Sequence, residues 1–370
     1  MGEASAGPGA ARPEAARFVA LDGLRFVAAL VVVAVHVLGI YGLEGWTPHA
    51  WLAVDFFFAL SGFVLDRAYR GKLAQPGGFW SVARLRVVRL APLFYLATAL
   101  GVIVYFARVG SALTPEMVAM LAISVAASLL FLPSPVSVGV GGADGLFPLN
   151  IPAWSLSCEM VINLIYAAIA RHLTVWRIAF IVGVAAVGMI WLVSHLGGLV
   201  GGQHPDNWYS GYVRVVFSFF MGVLLARLVA GRPTVGPLTV FWPLALVLLI
   251  VFMAPVGAAT WAWHLLAAMV VFPAVIWIGA RSSSPSKSPL LSWLGDISYP
   301  VYILHWPIMR GVNFVVEKLV PADIAPLAAL VATIAATIVA SGLALHFFDK
   351  PVRAWLSQRA RGRAAPGPAT

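Results

Sequence analysis

Residues 21–37 read LDGLRFVAALVVVAVHV, an aliphatic run that carries three ionisable side chains, those of Asp22, Arg25 and His36. The run is apolar and long enough to form most of a membrane-spanning helix, which needs about 20 apolar residues. Ionisable groups at membrane depth are costly and by default indicate a functional site. The stretch therefore predicts a membrane-spanning helix whose polar side chains take part in the protein's chemistry.

The whole chain has the composition of a polytopic membrane protein. Of its 370 residues, 61% are hydrophobic and 10% are charged, whereas a soluble domain carries about 25% charged residues. The net charge of +10 is explained by Lys and Arg in cytoplasmic loops, so no nucleic-acid partner is expected. The single cysteine, Cys158, excludes an intrachain disulfide framework and a cysteine-rich metal site. No metal is expected.

The distribution of basic residues predicts the topology. Ten or eleven apolar segments can be drawn, at about 18–40, 51–66, 88–107, 114–132, 154–170, 174–196, 212–230, 238–256, 260–280, 293–316 and 324–348. Lys and Arg favour the cytoplasmic side, and all basic clusters can lie there only if residues 88–132 make one net crossing. We therefore expect an all-α bundle of about ten transmembrane helices with both termini cytoplasmic. Either the third or the fourth segment would be re-entrant or otherwise incomplete.

Three regions are predicted along the chain. Residues 1–17 are rich in Ala, Gly and Pro and predict a disordered cytoplasmic tail. Residues 18–350 form the membrane domain, and residues 351–370 form a basic cytoplasmic tail. No internal repeat is visible, so an inverted-repeat transporter gets no support.

Arg25 and His36 lie on nearly the same face of the first helix. They are eleven residues apart, which is about three helical turns and about 16 Å. One face thus presents a cation near the inner side and an imidazole near the outer side. Asp22 can pair with Arg25 at three-residue spacing, and this pairing fits a lock between helices as well as it fits function.

Asp55 and Glu159 are expected at the depth of His36, because each lies about a turn into a segment that starts outside. A histidine with a carboxylate partner is a general-base arrangement, in which the acid fixes the tautomer and stabilises the imidazolium. A purely structural His–Glu bond is the alternative. Cys158 could act as a nucleophile beside Glu159, but a buried free cysteine usually behaves as a small hydrophobe.

Two further stretches carry candidate binding residues. In RLRVVRL (84–90) Arg86 and Arg89 are three residues apart and share a helix face. Such a pair suits phosphate, although a plain positive-inside anchor explains the stretch equally well. In GDISYPVYILHWPIMR (295–310) Tyr302 and His305 are neighbours on one helix face, and they are expected to line a binding site.

Six stretches, taken in order, resemble the acyltransferase 3 family of membrane acyltransferases. They are LDGLRFVAALVVVAVH (21–36), DFFFALSGFVL (55–65), RLRVVRLAP (84–92), WSLSCEM (154–160), GDISYPVYILHWP (295–307) and FFDKPVR (347–353). The resemblance implies ten spans, a catalytic role for His36 with support from Arg25, and a donor site at Arg86 and Arg89. It also implies transfer of an acyl group, commonly acetyl, from cytoplasmic acyl-CoA to a hydroxyl of a glycan, a lipid-linked sugar or a small molecule. Asp349 stands where the final motif often has Glu.

Two functions are therefore weighed. The first is an O-acyltransferase that uses acyl-CoA, in which His36 acts with Glu159 or Asp55. The second is a proton-coupled transporter or flippase of a glycolipid or small molecule, with the same groups as a proton relay. Membrane lipids are partners in either case. The abundance of Arg, Ala and Gly favours a bacterial inner membrane, and the acceptor is not readable from the sequence.

The charge pattern makes a prediction about sidedness. In intact cells, a membrane-impermeant thiol reagent should label Asp144→Cys but should label Thr370→Cys only after permeabilisation, because the basic clusters hold the C-terminus inside. The unaltered chain, which contains only Cys158, is the control for background labelling. Labelling of position 370 in intact cells would contradict the ten-crossing topology.

Overall fold

The computed structural model describes residues 18–138, 145–229, 236–281 and 288–362. The predicted tail at residues 1–17 and the last part of the basic tail, residues 363–370, lie outside these ranges. All regular elements in the described residues are helical, which confirms the expected all-α class. The α-helices are α1 (Val19–Ile40), α2 (Ala53–Leu73), α3 (Gly78–Val109), α4 (Pro115–Leu129), α5 (Ala153–Ile169), α6 (Val175–Leu196), α7 (Trp208–Leu228), α8 (Pro237–Met253), α9 (Thr260–Leu266), α10 (Phe272–Ala280), α11 (Pro289–Leu319), α12 (Ala325–Leu343) and α13 (Lys350–Gly362).

Local sequence explains where several helices begin. The hydroxyls of Thr114, Thr174 and Ser288 accept hydrogen bonds from the backbone N–H groups of residues 117, 177 and 291, at the starts of α4, α6 and α11. Proline follows directly at the starts of α4 and α11, where its missing N–H costs nothing. Two π-helical turns, Ala267–Val271 and Ala344–Asp349, join α9 to α10 and α12 to α13.

The protein is a multi-pass membrane protein. Among the described residues, seven helical stretches are long and apolar enough to cross a membrane. Helices α2 and α11 are also long, at 21 and 31 residues, but they carry the polar side chains of the bundle's interior. The 17-residue α8 is apolar and shorter. Counting these three as crossings would give the expected ten, and that number and the cytoplasmic termini remain predictions.

Helices α1 and α11 run side by side through the middle of the bundle, and α2 packs closely on α7. A Cβ atom on Gly62 would lie 2.0 Å from the carbonyl oxygen of Phe219, and one on Gly222 would lie 1.9 Å from that of Ala59. Small residues allow this backbone approach, which is how helices associate in a membrane. We refer to the end of the bundle where α1 begins as the Arg25 end, and to the end where it finishes as the His36 end.

The third and fourth apolar segments differ in length: α3 is long and apolar enough to cross a membrane, whereas α4 is a shorter apolar helix. Tyr95 donates to the carbonyl of Leu129 (2.8 Å) and Tyr105 donates to the carbonyl of Val138 (3.4 Å). Helix α4 therefore runs back along α3 towards the Arg25 end. By residue 138 the chain has returned towards the His36 end. The reversal is at Phe131, whose φ of 59° is in the left-handed region, and whose carbonyl accepts from Ser157 (2.7 Å).

Two histidines lock three segments together at the His36 end. Leu199 N–H donates to Nδ1 of His264 (3.0 Å), so Nε2 of that ring carries the proton and donates to Nδ1 of His49 (3.0 Å). Nε2 of His49 then donates to the carbonyl of Ala254 (3.0 Å). Every ring nitrogen is engaged while both rings are neutral, the tautomers being assigned from this network. An added proton must break one of these bonds.

This lock predicts a loss of stability in acid. Burial lowers the pKa of His49 below its ordinary 6.5, so the unfolded chain binds more protons than the folded one, and stability falls as the pH drops from about 6.5 towards the folded pKa. We expect the melting temperature in detergent to fall between pH 7.5 and 5.5. The decrease should be smaller in His49→Gln and unchanged in His195→Gln, which alters an exposed histidine. If the melting temperature depends on pH in the same way in His49→Gln and in the wild type, the proposed role of the histidine network is wrong.

Candidate functional site

A polar cavity lies between α1, α2, α3, α5 and α11, with a volume of about 110 Å³. Charged and aromatic side chains predicted from the sequence converge on it. Its polar lining includes Arg25, Arg86, Arg89, Glu159, Tyr299 and Tyr302. Five separate helices thus place residues of five sequence motifs around one space, which we call the arginine cavity.

Arg25 ties α1 to α11 at the wall of the arginine cavity. Its Nε donates to the hydroxyl of Ser298 (2.7 Å) and its Nη2 donates to the carbonyl of Gly295 (2.7 Å). Asp22 lies 3.6 Å from the same guanidinium, so the pair expected from the three-residue spacing is present. Gly295 leaves the room for this approach, since a Cβ there would lie 2.4 Å from Cβ of Asp22. Arg25 therefore fixes where α11 lies against α1.

Glu159 is bonded to Arg86 and not to His36. Nη2 of Arg86 lies 2.5 Å from Oε1 of Glu159, and Ser61 donates to the same oxygen (2.6 Å). The expectation that Glu159 assists His36 directly is wrong. The reason is the deep start of α5, where Asn150 donates to the carbonyl of Ile303 (2.9 Å). Glu159 lies more than two turns further along the chain and reaches the arginine cavity.

Arg86 and Arg89 share the cavity but differ in their partners. The guanidinium of Arg86 is taken up by Glu159. That of Arg89 has no hydrogen bond or ion pair with any residue that the structure describes, and it lines the same space. The predicted two-armed arginine fork is therefore replaced by one neutralised arginine and one available cation. Of the two, Arg89 is the residue that can bind an anion without first losing a partner.

His36 and His305 form a pair beyond the arginine cavity. Nδ1 of His305 lies 2.6 Å from the carbonyl of Tyr302, so it carries the proton and Nε2 is an acceptor. Nδ1 of His36 lies 3.2 Å from that Nε2 and 2.9 Å from the carbonyl of Val32, so it must be the donor. This leaves Nε2 of His36 unprotonated, and no described residue hydrogen-bonds to it. The tautomers follow from the network, and they give His36 the form that a general base requires.

Asp55, the other carboxylate expected beside His36, is committed elsewhere. It is fully buried and bonded to Arg214, with Nη2–Oδ2 at 2.7 Å. The same guanidinium donates to the carbonyls of Trp51 and Gly201, each at 3.0 Å. Asp55 and Arg214 thus join α2, α7 and the loop before α7, and the expected assistance of Asp55 to His36 is wrong. Arg214 was missed, although the rule that singled out Arg25 applies equally to it.

The structure divides the pair predicted on α11. Tyr302 lines the arginine cavity, and its hydroxyl is 2.7 Å from that of Ser155. His305 is fully buried, at 0% exposure, and serves as the partner of His36 rather than as cavity lining. Because Tyr302 also accepts the bond from His305, one turn of α11 connects the two halves of the site.

Cys158 lies away from both halves. It lines a larger cavity of about 510 Å³ together with Trp154, Trp208 and Tyr212. Its thiol has no hydrogen-bond partner on another residue in the described part of the chain, and Gly211 packs against it. With no base beside it, the nucleophile interpretation of Cys158 gets no support.

Comparisons with known proteins identify relatives. The Acyl_transf_3 model, an acyltransferase domain, matches residues 18–346. Acyltransferase MdmB of Streptomyces mycarofaciens is 25% identical, with 97% of each chain covered. Peptidoglycan O-acetyltransferase OatA of Listeria monocytogenes is 24% identical, covering 90% of this chain and 55% of OatA. "Protein 2 in picA locus" of Rhizobium radiobacter is 39% identical, covering 46% of this chain and 92% of that protein. No solved structure matches significantly.

The unequal arginines predict unequal effects on stability. Arg86→Gln leaves Glu159 without its cation, and removing one partner of a buried pair costs about 3–5 kcal/mol. These side chains are 16% and 15% exposed, so we expect a somewhat smaller loss, on the order of 2 kcal/mol. Arg89→Gln should cost little. Thermal unfolding in detergent measures both, and the double variant Arg86→Gln/Glu159→Gln should recover part of the loss. Equal melting temperatures for Arg86→Gln and Arg89→Gln would contradict the pairing.

Proposed function

This chain belongs to the acyltransferase 3 family, and from that premise we propose that it is an acyl-CoA-dependent O-acyltransferase. It would move an acyl group, probed most simply as acetyl, from cytoplasmic acyl-CoA to a hydroxyl of a glycan, glycolipid or glycosylated small molecule. The observation that carries this proposal is the connection of two sites by α1 and α11. An available cation, Arg89, faces a cavity at one site, and a histidine with an unprotonated Nε2 lies at the other.

The arginine cavity is the proposed donor site. Arg89 has no carboxylate to displace, so a phosphate of CoA can use its planar fork of donors. Arg25 is held by α11 and contributes positive charge at the cavity wall. On α1, Arg25 and His36 are separated by about 16 Å along the helix axis. The extended pantetheine arm of the donor is the part that would cover this distance and bring the thioester towards His36.

His36 is the proposed general base. Its Nε2 accepts the proton of the acceptor hydroxyl while the hydroxyl oxygen attacks the thioester carbonyl. The tetrahedral intermediate collapses, the carbon–sulfur bond breaks, and the imidazolium returns the proton to the CoA thiolate. During these steps the carbonyl of Val32 and the neutral ring of His305 hold Nδ1–H and keep the ring oriented. If an acyl-histidine forms, the same Nε2 is the attacking atom.

Glu159 and Asp55 keep indirect roles in this proposal. Glu159 holds Arg86 and Ser61 at the donor cavity, and Asp55 fixes α2 against α7. Neither reaches His36, so the imidazolium would be supported by a carbonyl and a neutral imidazole. A histidine arranged in this way works without bringing a second charge to membrane depth, where charge is costly.

The acceptor is proposed only as a class. OatA is named for peptidoglycan, but this chain spans 55% of OatA's length, so peptidoglycan is not transferred to it. MdmB is covered almost end to end and is named simply an acyltransferase. These relatives support acyl transfer over a proton-coupled transporter or flippase, and their organisms support the plasma membrane of a bacterium as the location.

Two variants should separate donor binding from chemistry. In nanodiscs, Arg89→Gln should weaken acetyl-CoA binding at least tenfold. His36→Ala should bind acetyl-CoA normally but release CoA about 10²–10⁴-fold more slowly, the usual contribution of a general base. Binding is measured by titration with labelled acetyl-CoA, and turnover by the release of free CoA as the acetyl group passes to water or to an added sugar.

Matched controls are available for both variants. Arg84→Gln removes an exposed arginine of the same motif, and His195→Ala removes an exposed histidine. Both should behave as the wild type does. Normal turnover in His36→Ala would remove His36 from the mechanism, and a wild-type protein that does not bind acetyl-CoA would overturn the proposed donor.

A further inference from the structure

The arginines within the bundle divide sharply by their partners. In the described residues, eight arginines are buried or half-buried. Five of them have a carboxylate within 4.0 Å: Arg25, Arg86, Arg214, Arg227 and Arg353. The other three, Arg89, Arg108 and Arg310, have none among the described residues, and each of them lines a cavity. Arg89 belongs to the proposed donor site, so the remaining two require an explanation of their own.

Arg108 and Arg310 lie at the His36 end, where the positive-inside rule does not explain them. On α3, Arg108 is nineteen residues beyond Arg89, about 28 Å along the helix. Lys and Arg are favoured on the cytoplasmic side, and the cluster at residues 84–89 supplies that charge at the opposite end. A second pair of arginines at the His36 end is not needed to orient the protein.

The two arginines meet at a small cavity of about 30 Å³. Nη2 of Arg108 donates to the backbone carbonyl of Arg310 (3.2 Å), while Nε of Arg108 is buried with no hydrogen-bond partner. Tyr105, Trp306 and Pro307 complete much of the wall. An unpartnered buried donor beside a second guanidinium costs free energy unless an acceptor binds there.

The charges around this cavity do not cancel. Glu317 is the nearby acid on α11, and its carboxylate is hydrogen-bonded to the amide of Asn313. Lys318 adds a further positive charge, its Nζ lying 3.8 Å from the ring centroid of Phe314. Like charges held together in a poorly solvated site repel, and two planar guanidiniums match the geometry of a carboxylate or phosphate. The arrangement is therefore complementary to an oxyanion.

The cavity is next to the catalytic half of the site. Trp306 is part of its wall, and the indole also packs edge-on against the ring of His36 with centroids 5.3 Å apart. An oxyanion between Arg108 and Arg310 would thus be separated from His36 by a single indole. A molecule anchored there can present a hydroxyl to His36 from the end opposite to the donor.

We propose that Arg108 and Arg310 bind a carboxylate or phosphate group of the acyl acceptor, so that the acceptor is an acidic or phosphorylated sugar compound. The role of the bound group rests on the proposed acyltransferase function, whereas binding itself does not. The oxyanion fills the small cavity, satisfies the free Nε of Arg108 and fixes the distance of the acceptor hydroxyl from His36.

Inorganic phosphate is the first probe. In phosphatidylcholine nanodiscs, phosphate at constant ionic strength should raise the melting temperature of the wild type in a saturable way, as a ligand of the folded state does. The apparent affinity should fall at least tenfold in Arg108→Gln/Arg310→Gln. The control Arg171→Gln/Arg281→Gln makes the same charge change at two exposed sites and should respond as the wild type does. If the glutamine variant does not fold, Arg108→Lys/Arg310→Lys keeps the charge without the planar forks and should bind phosphate more weakly than the wild type.

A matched pair of sugars identifies the source of the oxyanion. Methyl glucuronide should stabilise the wild type but not Arg108→Gln/Arg310→Gln. Methyl glucoside, which lacks the carboxylate, should stabilise neither protein. No phosphate effect in the wild type, or an equal effect in the double variant, would overturn the site. A phosphate effect that vanishes in phosphatidylglycerol nanodiscs would assign the arginines to lipid headgroups and overturn the acceptor role.

The same proteins test anion binding at Arg108 and Arg310 separately from the proposed acyltransferase function. Acetyl-CoA should stabilise Arg108→Gln/Arg310→Gln as it does the wild type, because the arginine cavity is unchanged in that variant. If Arg108→Gln/Arg310→Gln loses the phosphate effect but still binds acetyl-CoA, the result supports an anion site at Arg108 and Arg310. A wild type that responds to phosphate but not to acetyl-CoA would overturn the donor and leave the anion site standing.

Discussion

The contact of α1 with α11 is the constraint on which the rest of the site depends. Three pairs of side chains join the helices: Arg25 with Ser298, His36 with His305, and Tyr41, the residue after α1, with Asn313. The residue offsets in these pairs are 273, 269 and 272, so two parallel helices keep one register, within about a turn, from end to end. A slip of one turn would break all three contacts and separate the histidines from the arginine cavity.

This register explains how a polar path can exist inside an apolar bundle. Arg25 and His36 on α1 each meet a polar group on α11, so their desolvation is compensated where water is absent. Along α1 and α11 the arginines lie at the arginine cavity at one end and at the cavity of Arg310 and Arg108 at the other. Between them His36 and His305 are held as neutral rings by carbonyl acceptors, and neutral groups cost less at that depth than a carboxylate with an imidazolium would.

The parts that could be predicted from the sequence are those set by local spacing. Apolar segment lengths located the helices and the three-residue spacing predicted the Asp22–Arg25 pair, whereas the single net crossing of residues 88–132 stays a prediction. The partner of His36 could not be predicted, because His305 lies 269 residues away and only the register of two helices brings it there. Glu159 was misplaced because its depth depends on where α5 begins, and local sequence spacing does not set that depth. Asp55 was misassigned because Arg214, a partner 159 residues away, was not recognised.

The distribution of unpaired cations gives the bundle a direction. Arg89 at one end and Arg108 with Arg310 at the other are the half-buried arginines without a carboxylate among the described residues, and each group faces a cavity. A negatively charged donor and a negatively charged acceptor would repel each other if they entered by one route. In the proposed function, separate cationic sites at opposite ends would keep those charges far apart, while the neutral extensions of both molecules would meet at His36. The neutral histidine pair fits this proposal, because a charge there would attract one anion into the place where the thioester and the hydroxyl would come together.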